Sequence, residues 1–373
     1  MPNNFLTTKT IAREALMRLR NQLVMRPLVY NDYSNEFRKQ GDTIRIKKPA
    51  VYEAKKFTSQ IDIQDIKEDR IEVKLDTIAD VSINISSKER SMNLENFSEQ
   101  VLAPAMEAIA QQVDEDLHKL SSDIPYWVGQ AGVTPDGLDD FANARKKLNQ
   151  NKVPFGNRNA VWNPEADAKF IQLASLVNAE KSGSTAALRE GAIGRVAGMN
   201  NYMSQNVLTH TAGSYVSAAG TKVKVQPAVG DTTIQIKSTD GGTGTLKKGD
   251  LFSIGADQYV VTADAMASAN DITVSIYPSV KSAYAVDTDV VFADKTALAH
   301  VSNLAFHKKA FALVVRPLEP PRGGADSYTT SFEGLSLRVT SSYDINKKLE
   351  IVSIDILYGT KTLYPELATQ ILG

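Results

Sequence analysis

Four histidines and no cysteine bound the chemistry open to this chain. Without thiols there is no disulfide framework, no thiolate zinc site and no cysteine nucleophile. His307 is followed at once by Lys308 and Lys309 in "NLAFHKKAFALVVRPLE", a trio that suits a catalytic base, a phosphate clamp or a purely structural turn. His118 stands four residues after Asp114 in "VDEDLHKL", the spacing of a helical Asp–His pair, but no HExxH surrounds it and the reading is a structural histidine. His300 and His307 are seven residues apart, so a helix would align them. No carboxylate lies between them, and a metal would need a further ligand that the local sequence lacks. His210 has no motif around it.

The glycine-rich stretches fare no better. "GAIGRVAG" sets out Gly191, Gly194 and Gly198 without matching GxGxxG or GxxxxGK[ST]; a loop needing positive φ or close backbone approach explains it. "DGGTGTLKK" lies between predicted strands and is a turn, and no GxSxG elbow occurs. The acidic pairs Asp139/Asp140 and Glu68/Asp69 sit among charges and read as solvated faces. Lys47/Lys48 and Lys55/Lys56 have only Tyr52 and Phe57 as neighbouring aromatics, too few for base stacking. The expectation is no catalytic residue, no metal ligand, no cofactor and no enzyme.

The elements that would position these residues fall in a definite order. Residues 7–25 are predicted as an amphipathic helix, with Ala12, Leu16, Leu19 and Leu23 on one face and Arg13 and Arg20 beside it; Pro27 ends it. The first 60 residues hold 12 Lys and Arg against 5 Asp and Glu, about +7, in a chain whose net charge is −1. Such asymmetry points to a basic arm that meets an anionic partner. Over 41–85 the period changes to two in "TIRI", "IEVKL" and "VSINI", joined by mixed charge, and predicts a long projecting hairpin. Residues 96–121 carry Leu102, Met106, Ile109, Val113, Leu117 and Leu120 at helical spacing, with Pro104 predicting a kink or a start near Ala103.

Further helices are predicted in "TPDGLDDFANARKKLNQ", with Pro135 at its first position, and after Asn163-Pro164. From Gly213 to about Ala297 short β runs alternate with turns, the pattern of a small sandwich or barrel. "TALAHVSNLAFHKKAFALV" is read as helix-compatible, and the tail as mostly strand. At 373 residues, 42% hydrophobic and 23% charged, the chain can bury a sizeable core. No run reaches the roughly 18 apolar residues of a membrane span, and the start lacks a secretory pattern, so a soluble cytoplasmic protein is expected.

In that order the parts resemble tailed-phage major capsid proteins of the Hong Kong 97 fold, and most of all the coat proteins of the Salmonella short-tailed phage group. The segments that carry the likeness are "NFSEQVLAPAMEAIAQQVDEDL", "LREGAIGRVAGMNNYMSQNV", "LKKGDLFSIGADQYVV" and "NLAFHKKAFALVVRPLE". The resemblance implies an α+β chain: an N-terminal arm (1–40), an E-loop hairpin (41–86), and a peripheral domain (87–165) with a spine helix over 96–121. An axial domain (166–212 and 298–345), an inserted β-barrel domain (213–297) that helps the subunit fold, and returning C-terminal strands (346–373) complete it.

It also implies pentamers and hexamers closing into an icosahedral shell, with a scaffolding protein, a portal protein and non-specifically held double-stranded DNA as partners. No membrane and no cofactor are implied. The particle would be assembled in the host bacterial cytoplasm and persist as the virion capsid. Contacts between subunits would come from Lys55, Lys56, Asp62, Asp65, Glu68, Asp69 and Arg70 on the hairpin. Arg13, Arg18 and Arg20 of the arm would meet scaffold or DNA. His307, Lys308 and Lys309 would be a surface or a capsomer contact over a core of Leu304, Phe306 and Phe311. Another shell or tube, an encapsulin-like compartment or a tail protein, is the alternative.

Overall fold

The computed structural model describes residues 8–31, 43–47, 70–86, 98–178, 189–239, 244–268, 270–295, 298–321, 325–332, 335–345 and 349–373. They form two compact units: residues 1–23, 31–112 and 313–363 in the first, 24–30, 113–312 and 364–373 in the second.

In the first unit the N-terminal helix Thr8–Gln22 buries Ile11, Ala12, Ala15, Leu16 and Leu19. This apolar stripe lies on the strands Asp326–Phe332 and Leu335–Asp344, and Thr8 Oγ1 donates to Asp326 Oδ2 at 3.0 Å. Those strands continue a sheet through Leu349–Thr362, which also takes Thr77–Ser86 antiparallel from Leu349 opposite Ser86 to Tyr358 opposite Thr77. The predicted hairpin is present at its base: Thr43–Lys47 pairs with Arg70–Lys74, Lys47 opposite Arg70. The third run, "VSINI", belongs instead to the sheet just described.

The long helix begins with a π-wound turn, Ser98–Leu102, continues as the α-helix Ala103–His118 and ends in a 3₁₀ turn, Lys119–Asp123. Pro104 thus falls in the first α turn, where its missing N–H and its ring against the carbonyl four residues back are accommodated by the wider winding before it. Residues up to Gln112 belong to the first unit and the rest to the second. Leu102, Met106, Ile109, Val113 and Leu117 are all buried.

The second unit holds a mixed sheet in the order Trp127–Gly129, Ala368–Leu372, Ala299–His307, Arg158–Trp162, Met199–Met203, Arg195–Val196, with Thr209–Thr211 on the start of Ala299–His307. Phe141 of the helix Leu138–Gln150, Trp162 of the sheet and Phe170 of the helix Pro164–Phe170 pack as a triad, with centroids 4.5–4.9 Å apart. Asn163 caps the second of these helices by accepting from Ala166 N, as its Asn-Pro start predicts. The first starts at Leu138, three residues later than predicted, because Asp140 Oδ2 accepts from the N–H groups of Asp136 and Gly137 and sets the cap at Gly137.

Residues 213–295 of this unit build a β-barrel. Its strands run Val290–Phe292, Leu251–Ile254, Asp257–Val261, Asp271–Tyr277, Thr233–Lys237, Lys222–Val223. The ends meet: Val223 N donates to Thr288 O and Val290 N to Thr221 O, both at 2.9 Å. Inward residues alternate along each strand, and Ile234, Ile236, Phe252, Tyr259, Ile272 and Val274 fill the centre with Tyr215. The barrel packs on the sheet through Leu251 and Val260 against Leu372, while Gln258 Nε2 donates to Trp127 O at 3.1 Å.

One expectation is corrected. Residues 299–316 are not helical but two strands, Ala299–His307 and Phe311–Arg316, joined by a 3₁₀ turn. Ala299–His307 has sheet neighbours on both sides and is buried almost throughout, so its alternation is lost and the apolar run imitates a helix. Strand 299–307 lies in the second unit's sheet, whereas 338–344 pairs with 349–355 in the first unit. The tail 346–373 splits likewise, with Ala368–Leu372 in the second unit. In sequence these strands look alike; only long-range pairing assigns them to a sheet.

Candidate assembly surfaces and a buried polar junction

On the arm helix, Arg13 and Arg20 are exposed, and Arg18 Nε is paired with Glu14 Oε1 at 3.1 Å. Arg13, Leu16, Met17 and Arg20 border a groove of about 390 Å³ whose other wall is Thr330, Ser331 and Leu335. Met17 is 65% exposed there, an apolar side chain between two cations. The groove can therefore take a ligand that is both apolar and acidic. Of the hairpin residues singled out, Arg70 is exposed at the base; Lys55, Lys56, Asp62, Asp65, Glu68 and Asp69 lie outside the described residues.

The histidines are all internal or nearly so. His118 is buried, its Nε2 3.3 Å from Ser204 Oγ, and burial brings its pKa down to about 4. One helical turn earlier Asp114 accepts from Val24 N (2.9 Å) and Met25 N (3.2 Å). Burial pushes its carboxyl up to about 6 against the pull of those two N–H groups. The two residues thus share a helix face without pairing: each is engaged by a different segment.

His307 corrects the expectation of a surface trio. It is 6% exposed, and its Nδ1 accepts from Lys309 N at 3.2 Å, capping the 3₁₀ turn Lys308–Ala310. Burial first, then the nearby charges of Lys309 and Arg158, lowers its pKa and keeps it neutral. Leu304, Phe306 and Phe311 are core, as expected. His307 is a turn cap, and nothing about it resembles a general base.

The loop glycines Gly191, Gly194 and Gly198 all have positive φ. Ala197 (φ 51°) and Gly198 (φ 81°) form a two-residue turn between the short strands Arg195–Val196 and Met199–Met203, the geometry that a tight hairpin requires.

His210 and His300, unremarked as a pair in sequence, face each other with ring centroids 5.5 Å apart. They lie on paired strands directly opposite one another, at the points where the chain enters and leaves the barrel. His210 Nε2 is 2.8 Å from Asp250 Oδ1, and His300 Nε2 is 3.5 Å from Asp294 Oδ1. Asp250 also accepts from Gly213 N and Lys247 N; Asp294 Oδ2 accepts from Leu251 N at 3.2 Å. Both carboxylates are fully buried. Asp250 and Asp294 carry no mark in the sequence beyond flanking apolar strand runs, and nothing there links them to histidines some 40 and 6 residues away.

The family model described as "P22 coat protein - gene protein 5" matches residues 1–284 and 259–373. Among solved structures, one from Mycobacterium phage Che8 is similar with a TM-score of 0.53 at 17% identity, over 94% of this chain and 91% of that one. The capsid of Ralstonia phage GP4 is similar with a TM-score of 0.50 at 10% identity, over 92% of this chain and 86% of that one. No curated protein matches by sequence. Among the described residues no helix is long and apolar enough to cross a membrane.

Proposed function

We propose a mode of assembly from one premise: the chain belongs to the P22 coat protein family and is a major capsid protein, a subunit of the icosahedral shell of a tailed phage. Its role in that family is structural, and it is a component of the virion. The observation that carries the function is the family match, which spans both units and the barrel.

A shell subunit acts through the area it shares with its copies. The hairpin 41–86 overlaps a neighbouring subunit, and Lys55, Lys56, Asp62, Asp65, Glu68, Asp69 and Arg70 supply the paired charges that fix register there. Heterologous contacts of this kind close into pentamers and hexamers, and many weak contacts made at once hold the shell together. Residues 213–297 act as an inserted domain on the subunit's outer side and help it fold. The subunit needs no cofactor, catalyses no reaction and assembles in the host bacterial cytoplasm.

For the arm, the groove beside Met17 supports a scaffolding protein over the genome. An amphipathic acidic segment would place apolar side chains on Met17 and carboxylates beside the exposed Arg13 and Arg20 that flank it. Portal protein and packaged double-stranded DNA complete the partners, the DNA held without sequence preference.

The test is a charge reversal. Lys55→Glu with Lys56→Glu is expected to leave the monomer folded by circular dichroism and to abolish shells in negative-stain micrographs. Normal shells from the double variant would refute the contact assignment. Tubes or unclosed sheets from the unaltered protein would refute the capsid reading itself.

A further inference from the structure

The junction between the barrel and the second unit's sheet holds a donor set that the shell reading leaves unused. His210 Nε2 and one carboxylate oxygen each of Asp250 and Asp294 lie within 4.8 Å of one another. Asp294 is fully buried, and its Oδ1 accepts no hydrogen bond although it points into this cluster, 3.5 Å from His300 Nε2. A buried carboxylate oxygen with no donor is costly unless a cation or a proton occupies its lone pairs.

We propose that His210, Asp250 and Asp294 form a site for a first-row divalent cation, Zn²⁺ foremost, with His300 beside Asp294 and a solvent molecule completing the tetrahedron. Imidazole with carboxylate is a donor set that Zn²⁺ accepts and that Mg²⁺ and Ca²⁺ do not favour. Tetrahedral bonds of about 2.0–2.2 Å set ligand atoms roughly 3.3–3.5 Å apart. His210 and Asp250 would open from their 2.8 Å hydrogen bond by about half an ångström, and the Asp294 oxygen, within 4.8 Å of both, would draw in to meet the ion. The outer support is in place: Gly213 N and Lys247 N hold the Asp250 carboxylate, and Leu251 N holds Asp294. Access runs past His210, whose side chain is 20% exposed, whereas those of the other three are wholly covered.

The topology gives such an ion a purpose. His210 precedes the barrel, Asp250 and Asp294 belong to it, and His300 follows it. One cation would join the entry strand to the barrel wall at a single point, stabilising the folded subunit with the logarithm of its concentration over the dissociation constant. This inference does not rest on how the shell is built.

The experiment uses the full-length subunit, stripped with chelator. Zn²⁺ is titrated by calorimetry, and Co²⁺ serves as a spectroscopic probe of tetrahedral coordination. One ion per chain is expected, with tetrahedral Co²⁺ absorption and a rise in the thermal midpoint. Asp294→Asn and His210→Gln are expected to weaken binding by more than about 100-fold, beyond the usual effect of losing an outer-shell partner. His118→Gln, a buried histidine elsewhere, is expected to leave it unchanged. Circular dichroism of each variant confirms folding. If His210→Gln does not fold, the Asp294→Asn comparison decides alone, since that change removes a charge and keeps the shape. Absence of binding by the unaltered subunit, or equal binding by Asp294→Asn, overturns the proposal and leaves the cluster an ion-pair latch.

Discussion

Replacing Arg338 by Met tests what holds the first unit's sheet together. Arg338 and Asp355 are directly opposite on adjacent strands, and Asp355 is in turn opposite Asp80. The guanidinium grips Asp355 twice, Nε to Oδ1 at 3.0 Å and Nη2 to Oδ2, and donates from Nη1 to Glu319 O at 2.8 Å. Hydrogen bonding to Asp355, more than any other cause, raises the Arg338 pKa. The side chains are 20% and 8% exposed, so the carboxylate is the more deeply enclosed partner.

Taking away the cation leaves Asp355 enclosed beside a second carboxylate. Breaking a fully buried pair costs about 3–5 kcal/mol, and like charges opposite each other in a sheet add up to about 1 kcal/mol. Because Arg338 is one-fifth exposed and water can follow it, roughly 2–4 kcal/mol is expected for R338M. D355N is expected to cost less, about 1–2 kcal/mol, since the arginine left behind keeps Glu319 O and reaches water. The double variant should fall well short of the sum, with a coupling of about 1.5 kcal/mol or more. Urea denaturation of the monomeric subunit at neutral pH measures all four proteins. Additive single effects, or an R338M cost below about 0.5 kcal/mol, would show that the ladder is a surface ornament and refute the reasoning.

Three further outcomes are expected. Asp114 and His118 oppose each other in acid. A carboxyl at about 6 in the folded state against 3.8 unfolded costs stability above pH 6, a cost relieved on acidification, whereas a histidine at about 4 against 6.5 loses stability over the same fall. D114N removes the relief, so between pH 6.5 and 4 its urea stability should drop by roughly 2 kcal/mol more than that of the unaltered protein; parallel curves would disprove this. Gly213→Ala would place Cβ 2.0 Å from Thr245 O and should cost at least ~2 kcal/mol, against no measurable change for Gly156→Ala, where nothing lies within 4 Å; equal melting points would refute it. In refolding followed by pulsed hydrogen exchange, amides of 251–276 should be protected before those of 77–86 and 349–358, because the latter close a loop of over 260 residues; reversed order would exclude the barrel as the early-folding part.

Much of the fold was legible where an element carries its own signal. The arm helix shows a four-three-four apolar stripe from Ala12 to Leu23 because only one of its faces is covered. The strand 70–74 and the barrel strands alternate because one face of each meets solvent or an inward core, as Ile234 and Ile236 show beside exposed Gln235. Legibility failed where both faces are covered. Ala299–His307 lost its period to burial and passed for helix. The partition into sheets was hidden for a different reason: strands 299–307 and 335–344 look alike, and the pairings of 299–307 with 158–161 and 368–372 and of 349–358 with 77–86 are long-range facts that no local window contains.

The site was legible in one respect and closed in another. A charge run such as 53–76 announces a wet, mixed surface, but under the proposed assembly the residues that complete it belong to another copy of the same chain, and one sequence shows only half of each contact. The buried junction was hidden by distance. His210 and Asp250 are 40 residues apart and meet at 2.8 Å only in the folded unit. Local spacing therefore suggested pairing His300 with His307, the nearest histidine, whereas a sheet register put His300 opposite His210. In a strand an odd separation points two side chains to opposite faces, so the seven-residue interval that would have aligned them on a helix is what keeps them apart here.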